Sequence, residues 1–261
     1  MKQILTIAGS DSGGGAGIQA DIKAISANGG FAMSAITSVT AQNTVAVTDA
    51  FDLPIPLIEA QLDAVFSDFD VASVKTGMLS SSTIVETVAS KLREYTPQAI
   101  VVDPVMISKS KFPLLKAEAI NSLRHALIPI ATVITPNVYE AELLAEQEIR
   151  NIDDAKTAAE TIANLGCQAV LVKGGHLDNE KAIDVLYYND DWSFFDAERV
   201  ETKNTHGTGC TYSAAIATHL ALGKDLIAAI RAAKKYITNA IQHALDIGKG
   251  HGPTNHFYFL T

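Results

Sequence analysis

Five short, largely apolar runs, Gln3–Ile7, Ala72–Lys75, Ala99–Val102, Thr132–Thr135 and Ala169–Lys173, are separated along the chain by longer segments of helical periodicity. A strand that lacks polar alternation has both faces covered, and covering both faces of a sheet requires helices on each side and crossover connections between parallel strands. The expected fold class is therefore α/β, with three layers and a mostly parallel central sheet flanked by helices. A further strand, Ala32–Val39, follows a helix expected over Gly17–Asn28, so the β-α-β order begins at once. Other helices are expected at Ile58–Phe66, Ser81–Tyr95 with an N-cap from the Ser80–Ser82 cluster, Lys116–Ala126, Val138–Ala145, Asp153–Leu165, Thr208–Leu222 and Asp225–Ile247. Asn189-Asp190-Asp191 predicts a hairpin turn between Ala182–Tyr188 and Ser193–Asp196. No linker, low-complexity tract or internal repeat interrupts the 261 residues, which points to one domain over residues 1–261. Any lid is expected from the irregular stretch between Asn43 and Asp52.

A net charge of −9 opposes a nonspecific grip on nucleic-acid phosphates or on an anionic membrane, so a small-molecule partner is expected. Cys167 and Cys210 are the two cysteines, without CxxC or His/Cys ligand spacing, which argues against a disulfide framework or structural zinc and for a reducing compartment. The apolar run Ile4–Ala8 is too short for a signal-peptide core, and Ala126–Val133 is broken by Pro129. A cytoplasmic location is expected.

In parallel α/β sheets, ligands bind beyond the carboxyl ends of the strands. After the first strand comes Gly9-Ser10-Asp11-Ser12-Gly13-Gly14-Gly15-Ala16-Gly17, whose glycines permit close backbone approach and whose amides are expected to be free at the start of a helix. It lacks the acidic residue of a dinucleotide fingerprint and the Gly-Lys-Ser/Thr of a Walker loop, and a tight turn without a ligand is the alternative. The second cluster, Asn204-Thr205-His206-Gly207-Thr208-Gly209-Cys210, opens the helix from Thr208. Amides and dipole at that terminus would hold a transferring phosphoryl group. Cys210 falls in the first turn, where the same field is expected to lower its pKa and make it a base or nucleophile; the alternative is a packing cysteine, as read for Cys167.

The chain resembles the vitamin-kinase branch of the ribokinase-like superfamily, and within it the hydroxymethylpyrimidine/phosphomethylpyrimidine kinases of thiamine biosynthesis. The resemblance runs from Ile4 to Phe257. It rests on Ala8-Gly9-Ser10-Asp11 with Gly14-Gly15-Ala16-Gly17-Ile18-Gln19-Ala20-Asp21, on Thr40-Ala41-Gln42-Asn43-Thr44, and on Lys75-Thr76-Gly77-Met78-Leu79. Asp103-Pro104-Val105-Met106, Thr135-Pro136-Asn137 with Glu140, Val172-Lys173-Gly174-Gly175-His176, Asn204 to Cys210 and Gly250-His251-Gly252-Pro253 complete it. Gly13, Lys111 and Tyr139 depart from the family pattern, and Lys111 would add a cation near the phosphates.

The resemblance implies a kinase that uses ATP and Mg²⁺ to phosphorylate 4-amino-5-hydroxymethyl-2-methylpyrimidine, an aminopyrimidine alcohol, and then its monophosphate. Cys210 would accept the hydroxyl proton, and the amides of Gly207, Thr208 and Gly209 with Cys210 would form the anion hole. Asp103 and Glu140 would serve the metal and its water shell, as hard oxygen donors suit magnesium. Asn137, Lys173, Thr208 and Lys235 would bind nucleotide, and Gly9, Ala16, Asp21, Gln42, Met78 and Val105 the acceptor, with the Gln42 amide donating to and accepting from the pyrimidine edge. The oligomeric state is left open by the sequence, a homodimer being one of the states to consider. Pyridoxal/pyridoxine kinase is the alternative within the class, and a non-catalytic sensor of a thiamine precursor the alternative outside it.

Overall fold

The computed structural model describes residues 1–107, 112, 114–176 and 181–260. In chain order the elements are β1 (Gln3–Asp11), α1 (Gly17–Ala27), β2 (Phe31–Gln42), β3 (Val47–Asp52), α2 (Ile55–Asp68), β4 (Val71–Thr76), α3 (Ser82–Tyr95), β5 (Ile100–Val102) and α4 (Ala119–Ser122). There follow β6 (Val133–Ile134), α5 (Val138–Ala145), α6 (Ile152–Ala163), β7 (Ala169–Val172), β8 (Lys181–Tyr188), β9 (Asp191–Glu198), α7 (Thr208–Ala221) and α8 (Leu226–Gln242).

The strands form one sheet in the order β3-β2-β1-β4-β5-β6-β7-β8-β9. From β2 to β7 every neighbouring pair is parallel, and β3, β8 and β9 add antiparallel edges. The lack of alternation in the strand sequences has the predicted cause. Leu5, Ile7, Val170 and Val172 pack into a core with α2, α3, α5 and α6, while Ile4, Ala169 and Leu171 pack into a second core with α1, α7 and α8 on the opposite face. Among the described residues, no helix is long and apolar enough to cross a membrane.

The stretch expected to be irregular contains an edge strand instead. β3 pairs antiparallel with the end of β2, Phe51 opposite Val39 and Val47 opposite Gln42. Its hairpin tip is fastened by Thr44, whose Oγ1 accepts from the amides of Lys249 and Gly250 at 3.1 Å and whose carbonyl accepts from the His251 amide at 2.9 Å. The helix expected over Lys116–Ala126 is reduced to α4, followed by a π-helical turn at Leu123–Leu127 and a 3₁₀ turn at Ile128–Ile130. Pro129, which has no amide to donate, sits where a regular helix could not continue. α8 stops at Gln242 rather than Ile247, since the chain turns back and the Leu245 amide donates to the Pro253 carbonyl at 3.1 Å. At the β8–β9 turn, Asn189 and Asp190 have φ of 53° and 58°, the two positive values a type I′ hairpin needs. Lys111 lies outside the described residues.

Candidate active site

Three strand ends and one helix start meet at the site. Asp103 follows β5, Asn137 caps α5 just after β6, Lys173 follows β7, and Gly207–Cys210 enter α7. Asn137 and Lys173 are also joined by a parallel bridge, so the sheet itself sets their spacing. Asp103 is 2% exposed; its Oδ1 accepts from Lys173 Nζ at 3.0 Å and its Oδ2 from Ser213 Oγ at 3.1 Å. Burial pushes its carboxyl up, but the charges of Lys173 and Lys75 and the two hydrogen bonds outweigh burial and hold it below its ordinary value. A Cβ on Gly209 would stand 3.3 Å from Lys173 Nζ and 3.7 Å from Asp103 Oδ2, so the first turn of α7 abuts this pair.

Asn137 and Glu140 form a capping box: Asn137 Oδ1 accepts from the Glu140 amide at 3.0 Å, and Glu140 Oε2 accepts from the Asn137 amide at 2.8 Å. Burial pushes the Glu140 carboxyl up to about 7, with Lys173 opposing and Asp103 reinforcing the shift. Folding therefore favours its protonated form, and stability falls as pH rises from the ordinary value of 4.5 through about 7. In metal-free buffer, Glu140→Gln removes this slope and gains about 2 kcal/mol relative to wild type between pH 5.5 and pH 8 in urea unfolding. Parallel pH profiles for the two proteins would refute the assignment.

Among the described residues no three His, Cys, Asp or Glu side chains gather as a metal cage. Asp103 and Glu140 are of the donor type that suits a cation taking one or two carboxylates and completing its shell with phosphate oxygens and water.

Cys210 lies half-buried in the first turn of α7. The expected lowering of its pKa is not found: burial pushes the thiol up to about 12, with Lys75 pulling it down and Asp21 and Asp103 pushing it further up. Desolvation beats the helix field because the sulfur faces the buried interior of the site, where the carboxylates are.

The glycine loop after β1 is also different from expectation. Its amides are already taken: the Asp11 carboxylate accepts from Gly13 at 2.8 Å, Gly15 at 3.0 Å and Ala16 at 2.8 Å, and from His206 Nε2 at 2.9 Å. The two glycine clusters interlock instead. Gly207 has φ of +78°, and a Cβ there would lie 1.7 Å from the Gly15 carbonyl oxygen. A second departure is Asp21, which is wholly buried beneath the site. Both its oxygens accept from Lys75 Nζ at 2.9 Å, and Oδ2 accepts from Thr6 Oγ1 at 2.6 Å; neither charged residue has any exposed side chain. Asp21 has no surface to offer a substrate, because its length and position on α1 direct it to β1 and β4.

Of the other acceptor candidates, Gly9 and Met78 adjoin one another. A Cβ on Gly9 would be 2.9 Å from Met78 Sδ, a Cβ on Gly207 would be 3.3 Å from the Ala16 Cα, and half-buried Val105 follows Asp103-Pro104. Gln42 ends β2 beside His206, with 3.4 Å between its Nε2 and His206 Nε2. Thr208 belongs to the α7 entry, where its Oγ1 donates to the Thr205 carbonyl at 2.8 Å. Lys235 is not brought in: it is exposed on α8, and the inward-facing neighbour is Lys234, paired with Asp184 at 2.8 Å. Gly13 fits tightly, since a Cβ would meet Asp11 Oδ1 at 3.1 Å, and Tyr139 is exposed on α5. Sequence reasoning missed Asp11, Lys75, His206 and Ser213. A signal existed only for Asp11, whose place two residues before a glycine run suits an Asx turn.

Sheet topology, a carboxylate and lysine at strand ends and a Gly-Thr-Gly helix start define a ribokinase-like phosphotransferase. The family model described as phosphomethylpyrimidine kinase matches residues 11–255. The hydroxymethylpyrimidine/phosphomethylpyrimidine kinase of Haemophilus influenzae is 48% identical over 99% of this chain and 98% of its own. Among solved structures, a phosphomethylpyrimidine kinase from Clostridium difficile shows 47% identity and a TM-score of 0.83, covering 92% of this chain and 100% of that one. An ADP complex of Bacillus subtilis pyridoxal kinase shows 40% identity and a TM-score of 0.93, covering 100% of this chain and 99% of that one. The chain belongs to the phosphomethylpyrimidine kinase family.

Proposed function

We propose that this kinase transfers phosphoryl groups from ATP to 4-amino-5-hydroxymethyl-2-methylpyrimidine and then to its monophosphate, yielding the pyrimidine diphosphate used to make thiamine. The observation that carries the reading is the meeting of Cys210 and the first-turn backbone of α7 with the Asp103–Lys173 pair, 3.0 Å across. Phosphoryl transfer asks chiefly for positioning and for charge placed where it develops. Lys173 brings a point charge to the phosphates, and Asn137 offers its amide nitrogen beside it. Bound Mg²⁺ supplies further neutralisation of phosphate charge, and Asp103 and Glu140 are the residues that would hold it and its waters. The amides of Gly209 and Cys210 face the transferred group. Cys210 takes the hydroxyl proton; its thiol is neutral at rest, so its own proton leaves toward a phosphoryl oxygen as the substrate's arrives. Met78 and Val105 wall the flat ring, and Gln42 reads its ring nitrogen and exocyclic amine.

The close structural likeness to a pyridoxal kinase supports a second reading, phosphorylation of pyridoxal or pyridoxine. ATP consumption with the pyrimidine and with pyridoxal side by side, products identified by mass, decides between them. The pyrimidine is expected to be the better substrate; a preference for pyridoxal would reverse the order, and no turnover of either with Mg²⁺ present would leave a sensor. Asp103→Ala is expected to raise the Mg²⁺ concentration for half-maximal rate roughly tenfold or more, because it removes a negative oxygen from a hard-cation site. An unchanged Mg²⁺ dependence would remove Asp103 from the metal.

A further inference from the structure

The amide of Gln42 touches two partners that fix which way round it stands. Thr40 Oγ1, 3% exposed as a residue, lies 3.0 Å from the Ser10 carbonyl and 3.0 Å from one end of the Gln42 amide. The other end of that amide lies 3.4 Å from His206 Nε2. His206 Nε2 is in turn 2.9 Å from Asp11 Oδ2, on a carboxylate that also accepts from the amides of Gly13, Gly15 and Ala16 and is held below its ordinary pKa, with the His206 bond the leading cause opposing burial.

A nitrogen that close to an ionised carboxylate oxygen carries its proton, so Nε2 is a donor. If the amide nitrogen of Gln42 stood against His206, one N–H would face another, and the single Thr40 proton would be asked to serve Ser10 and Gln42 together. Exchanging the two ends of the amide removes both conflicts. Thr40 then donates to the Ser10 carbonyl and accepts from the Gln42 nitrogen, and His206 Nε2–H is shared between Asp11 and the Gln42 oxygen. Every group has a partner of the right kind.

We propose that His206 is a positioning residue for substrate choice: anchored by Asp11, it turns the Gln42 carbonyl toward itself and, with Thr40 at the other end, holds the amide in one orientation. One N–H and one carbonyl lone pair of Gln42 remain unassigned. These are the donor and acceptor that a ring nitrogen and an adjacent amine require, and pyridoxal carries no such amine. The inference rests on Gln42 being the reader of the pyrimidine.

The test is a double-mutant cycle on the ratio of kcat/KM for the aminopyrimidine alcohol to kcat/KM for pyridoxal, in wild type, His206→Met, Gln42→Met and the double variant. His206→Met is expected to lower the ratio roughly tenfold, while His206→Gln, which returns a donor to the place of Nε2, keeps it within about threefold of wild type. In the Gln42→Met background, His206→Met should change the ratio less than about twofold, since the group it orients is gone. A ratio unmoved by His206→Met, equal losses in the Met and Gln variants, or an undiminished effect in the Gln42→Met background would each overturn the proposal. A ratio unmoved by Gln42→Met would instead show that Gln42 does not read the ring, and the proposal falls with that reading. Should His206→Met fail to fold, Thr40→Val against Thr40→Ser tests the same orientation from the other end, with loss expected only in the valine variant.

Discussion

Cys210→Ala is expected to lower turnover by roughly 10²–10⁴-fold while the dissociation constant of the pyrimidine stays within a few fold. The size follows from the site. The sulfur stands in the first turn of α7 within the fields of Lys75, Asp21 and Asp103, and its removal leaves water or nothing to pass the hydroxyl proton. Burial keeps the thiol neutral, with a pKa of about 12, so the residue acts as a relay that exchanges one proton for another rather than as a standing thiolate. Cys210→Asp should recover part of the loss by accepting the proton outright. Near-normal turnover in the alanine variant would reduce Cys210 to packing.

Lys75→Met is expected to cost about 3–5 kcal/mol of stability, read by urea unfolding, because it strands the Asp21 carboxylate where no water reaches it. The pair has no exposed side-chain surface, and the Thr6 hydroxyl alone cannot compensate a full charge. Lys75→Met with Asp21→Leu should regain most of that stability, since two apolar groups make no such demand. A loss below about 1 kcal/mol in the single variant would mean that Asp21 is neutral in the fold. The recovered double variant removes both the cation that pulls the Cys210 thiol downward and the Asp21 carboxylate that pushes it up, so the two changes oppose one another at the sulfur.

The layers and the principal strand-end residues were legible because both depend on local pattern. A strand buried on two faces must be apolar throughout, and Asp103, Asn137 and Lys173 each stand at or within two residues of the end of such a run. What stayed illegible depends on pairs far apart in sequence. Lys75 closes an apolar run and reads as a strand end reaching solvent; its partner Asp21 is 54 residues away on a helix whose face cannot be assigned without the sheet. Asp11 and His206 are 195 residues apart, and only their meeting shows that the first glycine loop spends its amides on its own aspartate. β3 escaped notice because an edge strand need not be apolar: Thr48, Asp49 and Phe51 are all exposed. The thiol of Cys210 was misjudged because the field of a helix end can be foreseen from sequence, while desolvation depends on what closes over the sulfur.

Residues 248–253 bind both sides of the pocket. Lys249, Gly250 and His251 hold Thr44 at the hairpin tip next to Gln42, and the Gly252 carbonyl accepts from the His206 amide at 3.0 Å, beside a bridge between His206 and Pro253. These bonds span more than 200 residues at Thr44, and no earlier part of the chain can form them. During synthesis the sheet from β1 to β7 can assemble while the ribosome is still at work, but the acceptor pocket acquires its final shape only after this segment has emerged. A nascent chain thus reaches its fold before its selectivity, and substrate discrimination is among the last properties the molecule gains.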